Sequence, residues 1–441
     1  MISFSLNNEY IKQLHHYSVL YVGYSGGLDS TVLLHQLASQ PSLLHKIYAV
    51  HVNHGLSPHA HEWEYHCQQF CEDLSIPLSI YPVKLDQTHN IEECARDARY
   101  GVFNSLLTPF DALLLAHHED DQAETVLLNL MRGSGVDGLA AMPAVQSMPQ
   151  GQLLRPFLTY SRKRIEAYAD HFALKWIEDE SNQNVQFSRN FLRHRIMPLL
   201  KEKWPSAVKN IARGAQHCQK ARMNLESLAQ LDEMDLTIRS HTLPISKLKE
   251  LARERSLNVL RVWLKYNSYQ SPSEKTLNRL IDEMVFARDD AKPKVIFGSV
   301  IVRRYRDHLF CLPASSKDDA LFHKGYQPPV EKIVWSHFPE PLFLGKEIGT
   351  LYVELSSKGL QLPVSSIIDI RFRTGGERLK WHGQTKQLKK LLQQWNVPPW
   401  MRDKLPLIYV DEELAVVVGY AVSDIFNTEQ SSLTIRLEHH G

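Results

Sequence analysis

Ser25-Gly26-Gly27-Leu28-Asp29-Ser30 brings together the residue types needed to hold phosphate. Glycines let backbone N–H groups approach an anion closely. Ser25 and Ser30 add hydroxyl donors, and a helix beginning there would present its unpaired N–H groups and positive dipole end. Asp29 alone would repel phosphate. Beside Mg²⁺ it makes sense, because that ion takes carboxylate and phosphate oxygens together. The string is neither G-x-x-x-x-G-K-[S/T] nor G-x-G-x-x-G. An ordinary tight turn would account for the glycine pair but not for the whole string.

A second constellation is His117-His118-Glu119-Asp120-Asp121-Gln122-Ala123-Glu124-Thr125. His117, Asp121 and Glu124 are spaced i, i+4 and i+7, so on a helix they share a face. Helix capping explains one or two acids in a first turn, not this density beside two histidines. Such carboxylates suit a cationic substrate or a metal and can deprotonate an amine. Zinc is the weaker reading, because no matching Cys/His set lies nearby. His51 and Asn53, in His51-Val52-Asn53-His54-Gly55-Leu56-Ser57, stand where a nucleoside would be met. His59, His61, His66 and Cys67 are too irregularly spaced to favour a metal, and Cys67 and Cys71, at i and i+4, read as core thiols. Arg96 and Arg99 either neutralise phosphate or form a solvated helix face.

These residues need a scaffold that gathers them at one edge. The spacing predicts strands at 18–24, 46–52, 78–83 and 111–116, alternating with helices at 30–39, 61–74 and 91–107. That alternation implies a doubly wound parallel α/β sheet, with ligands at the carboxyl ends of its strands. Helices are expected at 121–132, 161–172 and 191–203, then a mostly helical stretch at about 205–285. Strands are expected at 293–312, a linker at 313–345, and short strands around one basic helix, 385–395, in the remainder. The expected domains are 1–215 (catalytic), 216–345 (mostly helical, with linker) and 346–441 (small, α+β and basic).

Apolar residues make up 43% and charged residues 22% of the 441, an ordinary globular composition. No apolar run approaches the ~20 residues of a membrane span, and the first residues lack the pattern of a signal peptide. Five cysteines without pattern argue against a disulfide framework. The expectation is a soluble cytoplasmic protein. The net charge of +1 conceals a split. Residues 1–160 hold 7 basic and 16 acidic side chains, leaving 43 basic and 33 acidic for the rest. An acidic front and a basic rear suggest a polyanion partner. Residues 186–213 carry seven basic groups, among them Arg189, Arg193 and Arg195, against one acid. Residues 371–404 carry nine, among them Arg373, Arg378, Lys389, Lys390 and Arg402, against two acids, with Trp381, Trp395 and Trp400 interleaved. Basic groups neutralise phosphates and aromatic rings stack on exposed bases, so both clusters read as an RNA surface.

Ser25–Ser30 resembles the S-G-G-x-D-S loop of the PP-loop ATP pyrophosphatases. Met131–Leu139, Arg155-Pro156-Phe157, Glu178–Asn182 with Arg189-Asn190, Arg373–Arg378, Leu388–Leu392 and Pro398-Pro399-Trp400 follow in the order of the tRNA(Ile)-lysidine synthetases. The resemblance spans most of the chain and is thinnest at about 220–345. It implies a two-step reaction using ATP and Mg²⁺. ATP adenylates the position-two oxygen of the wobble cytidine in an isoleucine tRNA with a CAU anticodon. Free L-lysine then displaces AMP. It further implies a homodimer. Under it, Ser25, Gly26, Gly27, Leu28, Asp29 and Ser30 hold ATP, with Asp29 at the metal. Asp121 and Glu124 handle lysine, and His117 lies near the reacting base or phosphate.

A PP-loop tRNA thiolase is the close rival, but that chemistry usually needs a cysteine pair or an iron–sulfur cluster, and no Cys-x-x-Cys occurs. An amidating synthetase would need a glutaminase partner. A non-catalytic nucleotide sensor would not need the acidic helix.

Overall fold

The computed structural model describes residues 5–438 apart from 56, 84–90, 233–240, 269–271, 289–292, 299, 314–331, 346–347, 364–365 and 429–431. Leu56 and most of the expected 313–345 linker lie outside the described residues. The chain divides into two compact units, Met1–Met234 and Asp235–Gly441.

The first unit runs α1 (Asn8–Leu14), β1 (Leu20–Gly23), α2 (Leu28–Ala38), β2 (Ile47–Asn53), α3 (Ala60–Asp73), β3 (Leu78–Pro82), α4 (Ile91–Leu106), β4 (Ala112–Leu114), α5 (Glu119–Met131) and α6 (Val136–Leu139). It continues through β5 (Val145–Ser147), β6 (Gln152–Leu154), α7 (Arg162–His171), α8 (Ser188–Phe191), α9 (Met197–Lys203) and α10 (Ala207–Asp232). The sheet order is β3-β2-β1-β4-β6-β5. Every pair is parallel except β5–β6. The order reverses at β1, whose neighbours are β2 and β4, and such a switch point opens a ligand crevice at the strand carboxyl ends. Leu20, Val22, Ala112, Leu113 and Leu114 are fully buried, as central parallel strands covered on both faces require. Val32, Leu33, Leu34 and Leu37 of α2, a helix buried around most of its circumference, join Leu20, Val22, Ala112 and Leu114 in one core.

The expected strands and helices of this unit form, with shifted ends. The helix expected from 121 begins at Glu119, because His118 and Asp121 form a capping box: Asp121 N donates to His118 Nδ1 at 3.4 Å, and His118 N to Asp121 Oδ2 at 3.0 Å. The single helix expected at 191–203 is α8 and α9 joined by a π-helical turn, Leu192–Ile196. Such turns occur often at functional sites.

In the second unit, helices Ile245–Glu250, Arg253–Ser268 and Glu274–Leu280 accompany a four-stranded antiparallel sheet built from Thr242–Pro244, Lys294–Phe297, Val300–Tyr305 and His308–Pro313. Two five-stranded antiparallel sheets enclose a core containing Trp335, Leu351, Ile370, Ile408 and Val410. The basic helix starts at Leu388 rather than 385, because residues 384–387 pair as a strand with Arg378–Trp381. A second short helix, Pro399–Arg402, follows it.

Candidate active site

The phosphate loop joins β1 to α2. Gly26 has φ +81°, a left-handed conformation, and a Cβ there would lie 2.5 Å from Ile177 Cδ1 and 2.9 Å from Cys67 Sγ. Conformation and space thus both demand glycine. Ile177 N donates to Gly26 O at 2.9 Å. Within the loop, Ser30 Oγ donates to Gly27 O at 3.0 Å and lies 3.1 Å from Ser25 Oγ. Gly27 caps α2 without a side-chain bond, so the amides of the first turn stay available to an anion. Leu28 and Asp29 open that turn.

Asp29 Oδ1 is buried and has no hydrogen-bond partner. A buried carboxylate oxygen left without a donor is costly unless a cation faces it, and His118 Nε2, 3.6 Å away, is the cationic group the chain itself provides. The donor set fits Mg²⁺, a hard cation that keeps waters and binds through one or two carboxylates plus phosphate. Among the described residues no group of three or more His, Cys, Asp and Glu side chains could hold a metal by itself.

His118, 1% exposed, stands between the loop and α5. Its Nε2 lies 3.6 Å from Asp29 Oδ1 and 3.4 Å from Asp121 Oδ2. Burial alone would lower its pKa, but the carboxylates of Asp121 and Asp29 outweigh that and raise it. Sequence reasoning passed over this histidine in favour of its neighbour. The overlooked signal was its place immediately before the acidic turn, the N-cap position, with Asp three residues on.

Asp121 and Glu124 meet two arginines. Arg189 Nε lies 2.8 Å from Glu124 Oε2, and its Nη2 lies 3.1 Å from Asp121 Oδ1. Arg193 contacts Glu124 through Nε at 2.7 Å and Nη2 at 2.9 Å, and Asp121 through Nη2 at 3.2 Å. Burial works to raise the Asp121 pKa, yet His118 and Arg189 hold it well below the usual carboxylate range. Arg189 and Arg193 were expected on an RNA surface. The fold turns them inward, because i, i+4 spacing across the π-helical turn aims both forks at α5. Asp120 belongs to the same neighbourhood, taking Lys201 Nζ at 2.8 Å and the Arg162 amide at 3.0 Å. A cavity of about 90 Å³ lies among His118, Asp120, Glu124, Arg162, Arg193 and Met197.

His117 Nδ1 accepts from Arg155 Nε at 3.3 Å, and Arg155 also donates to Pro143 O and Gln146 Oε1. Burial pushes the His117 pKa down to about 3, with Arg155 adding to the fall and Asp121 opposing it. The ring is neutral, its proton on Nε2.

At the end of β2, His51 Nδ1 donates to Tyr24 O at 3.0 Å. Asn53 Nδ2 donates to Glu64 Oε1 at 2.6 Å, and Asn53 Oδ1 accepts from the Gly55 amide at 2.7 Å, so its side chain shapes the turn. Arg99 is exposed and 3.3 Å from His54 Nε2. Arg96 is exposed over the Tyr100 ring. Cys67 and Cys71 are core thiols, both pushed up to about 12 by burial.

In the second unit, Arg378, Lys389 and Lys390 are exposed, as is Arg195 in the first. Arg373 is 19% exposed and faces Asp403 and Glu377. Arg402, expected on the RNA surface, is buried, donating to Val397 O at 2.9 Å and Tyr305 OH at 3.1 Å. The interleaved tryptophans pack inward too: Trp381 edges onto Trp395, Trp395 stacks on Tyr420, and Trp400 meets Phe310.

The switch-point crevice, the S-G-G-x-D-S loop and the carboxylate of Asp29 define a nucleotide-binding protein of the PP-loop class, and the family model described as "PP-loop domain" matches residues 4–200. Those described as "TilS substrate binding domain" and "TilS substrate C-terminal domain" match 243–310 and 368–439. A tRNA(Ile)-lysidine synthase of Legionella pneumophila (strain Paris) is 51% identical over 423 residues, covering 96% of each chain. Those of Coxiella burnetii and Serratia proteamaculans are 39% and 37% identical, covering 92% and 98% of this chain and 90% and 98% of their own. The chain belongs to the tRNA(Ile)-lysidine synthase family. Relatives so named do not favour the thiolase alternative. Among the described residues no helix is long and apolar enough to cross a membrane.

Proposed function

We propose that this chain ligates free L-lysine to carbon two of the wobble cytidine of isoleucine tRNA with a CAU anticodon. ATP is cleaved to pyrophosphate and AMP through an adenylated base. The observation that carries the reading is the placement of the Asp29 and Asp121 carboxylates on His118, with Glu124 lining the same cavity, beside an open helix amino terminus.

The amides of Gly26 and Gly27 and the first turn of α2 receive the phosphates, with Ser25 and Ser30 as hydroxyl donors. Asp29 would hold Mg²⁺, which supplies charge neutralisation at the triphosphate. His117, neutral and protonated on Nε2, offers a hydrogen bond to the reacting base or to phosphate. His51 and Asn53 border the nucleoside, and Arg96 and Arg99 add positive charge on the α4 side. Lysine must lose a proton from a group of unperturbed pKa ~10.4 before it can attack. Asp121 and Glu124, kept together by Arg189 and Arg193, handle the lysine by attracting its ammonium; the depressed pKa of Asp121 makes it a poor acceptor of that proton. Arg195, Arg373, Arg378, Lys389 and Lys390 serve the tRNA. A cytoplasmic location and a homodimer belong to the same reading, the dimer on resemblance alone.

The test is incorporation of labelled lysine into isoleucine tRNA with a CAU anticodon. Label that requires both ATP and the wobble cytidine supports the reading. Sulfur transfer without lysine uptake, or pyrophosphate release without tRNA, overturns it.

A further inference from the structure

The turning inward of Arg189 and Arg193 removes two cations from the expected RNA surface of the first unit, and α10 supplies others. From Lys203 to Leu225 the chain has no Asp or Glu but holds Lys203, Lys209, Arg213, Lys220 and Arg222. Arg222 pairs with Glu226 and is half-buried. Lys209, Arg213 and Lys220 are exposed, and none of them ion-pairs with an acid among the described residues. Among the described residues Arg213 donates to Asn210 Oδ1 at 3.0 Å and to no acid, while Lys209 acts on Glu119 through space without pairing. At about 100° per residue, positions 209, 213 and 220 fall within an arc of roughly 40°. The rise of ~1.5 Å per residue spreads them over roughly 16 Å of helix. The opposite face is committed to the core: Val208 and Ile211 pack with Ala123 and Leu127 of α5, and Gln219 donates to Ala140 O and Met142 O. At the amino end, between Lys203 and Lys209, the Trp204 indole is 57% exposed.

A line of unpaired cations beside an exposed aromatic ring is complementary to an RNA strand: phosphates meet the cations and a base stacks on the ring. We infer that the outer face of α10, with Lys209, Arg213 and Lys220, is a docking surface for the tRNA backbone, and that Trp204 stacks on an unpaired base at its end. The partner's identity rests on the reading under Proposed function. The surface itself is read by binding alone.

The experiment uses the full chain and isoleucine tRNA with a CAU anticodon, measuring Kd by filter retention from 0.05 to 0.3 M salt and lysine incorporation in parallel. With a slope of about 0.7 per phosphate contact, Lys209→Ala/Arg213→Ala/Lys220→Ala weakens binding roughly 50-fold at 0.15 M salt and lowers the log–log salt slope by about 2. The kcat at saturating tRNA is unchanged. Trp204→Ala weakens binding roughly tenfold with the slope intact, and Trp204→Phe restores it. Wild-type Kd and slope in the triple variant overturn the inference, as does a change of oligomeric state with tRNA affinity unmoved, which would make this a protein–protein face. A wild-type chain that binds tRNA without incorporating lysine defeats the proposed function instead, leaving the α10 measurement interpretable.

Discussion

Arg193→Met tests whether the arginine pair belongs to the acidic pocket or to the RNA surface. The change deletes contacts of 2.7 and 2.9 Å to Glu124 and 3.2 Å to Asp121. Those carboxylates are only 3% and 11% exposed, so water entering from the neighbouring cavity replaces the lost donors only in part. Removing one partner of a buried ion pair costs about 3–5 kcal/mol. Arg189 stays, at 2.8 Å from Glu124 and 3.1 Å from Asp121, so the lower end applies, about 3 kcal/mol. In a unit of this size, each kcal/mol shifts Tm by about 2–4 °C, so calorimetry should show a fall of roughly 6–12 °C. Arg193→Lys recovers only part, because a point charge cannot copy the two-pronged contact. The pH dependence has a definite sign. The folded pKa of Asp121 is depressed, so its pairing stabilises above the unfolded value of about 3.9 and is lost as pH falls through the folded one. The gap between wild type and variant therefore narrows in acid. The tRNA salt slope is unchanged. A Tm fall under about 2 °C, or a reduced salt slope, would refute the assignment and return Arg193 to the RNA.

Asp29→Asn removes the charge that would hold the cation at the phosphates, and kcat for lysidine formation falls about a thousandfold with tRNA affinity retained; residual activity within tenfold of wild type would exclude the role. Gly26→Ala imposes a side chain on a left-handed residue against Ile177 and Cys67, raising the KM for ATP more than about tenfold and costing roughly 1–2 kcal/mol. Its double variant with Ile177→Ala relieves the contact with Ile177 but neither the 2.9 Å approach to Cys67 nor the backbone conformation, so recovery is partial. His117, with a folded pKa of about 3, stabilises as the neutral ring above pH ~6.5 and loses that contribution as pH falls. Wild type should lose about 2 kcal/mol more than His117→Asn between pH 6.5 and 5 in urea titrations; parallel curves contradict it. Lys389→Ala/Lys390→Ala should raise the KM for tRNA with kcat kept, since both side chains are exposed; an unchanged KM removes them from the interface.

The first unit was legible because parallel strands buried on both faces write themselves as apolar runs, as Leu20–Gly23 and Ala112–Leu114 do, separated by helical spacing. The phosphate loop was legible for a local reason: its glycine, serine and aspartate roles are all met within six residues. What could not be read was set by distant partners. Arg189 and Arg193 look like part of a basic run, and only the three-dimensional fold brings Asp121 and Glu124 to them. Arg402 and the tryptophans at 381, 395 and 400 carried the same ambiguity, since a cation or ring inside a small β domain has the same one-letter identity as one on its surface. His118 is hidden in the sequence because His117 has the i, i+4, i+7 spacing to Asp121 and Glu124, while capping geometry decides which imidazole faces the acids.

The loop at residues 25–30 is closed from outside itself. Ile177, arriving after α7, hydrogen-bonds Gly26 O, and its side chain fills the space a Cβ on Gly26 would need. The smallest fragment able to present these amides correctly therefore cannot stop after β6, although every residue of the signature and the whole parallel sheet would then be present. It must run through α7 to Ile177. To keep Asp121 and Glu124 compensated it must go on through Arg193, and to cover the apolar face of α5 it must reach α10. The nucleotide-binding sequence is short, but the piece of chain that can perform its task is nearly the entire first unit.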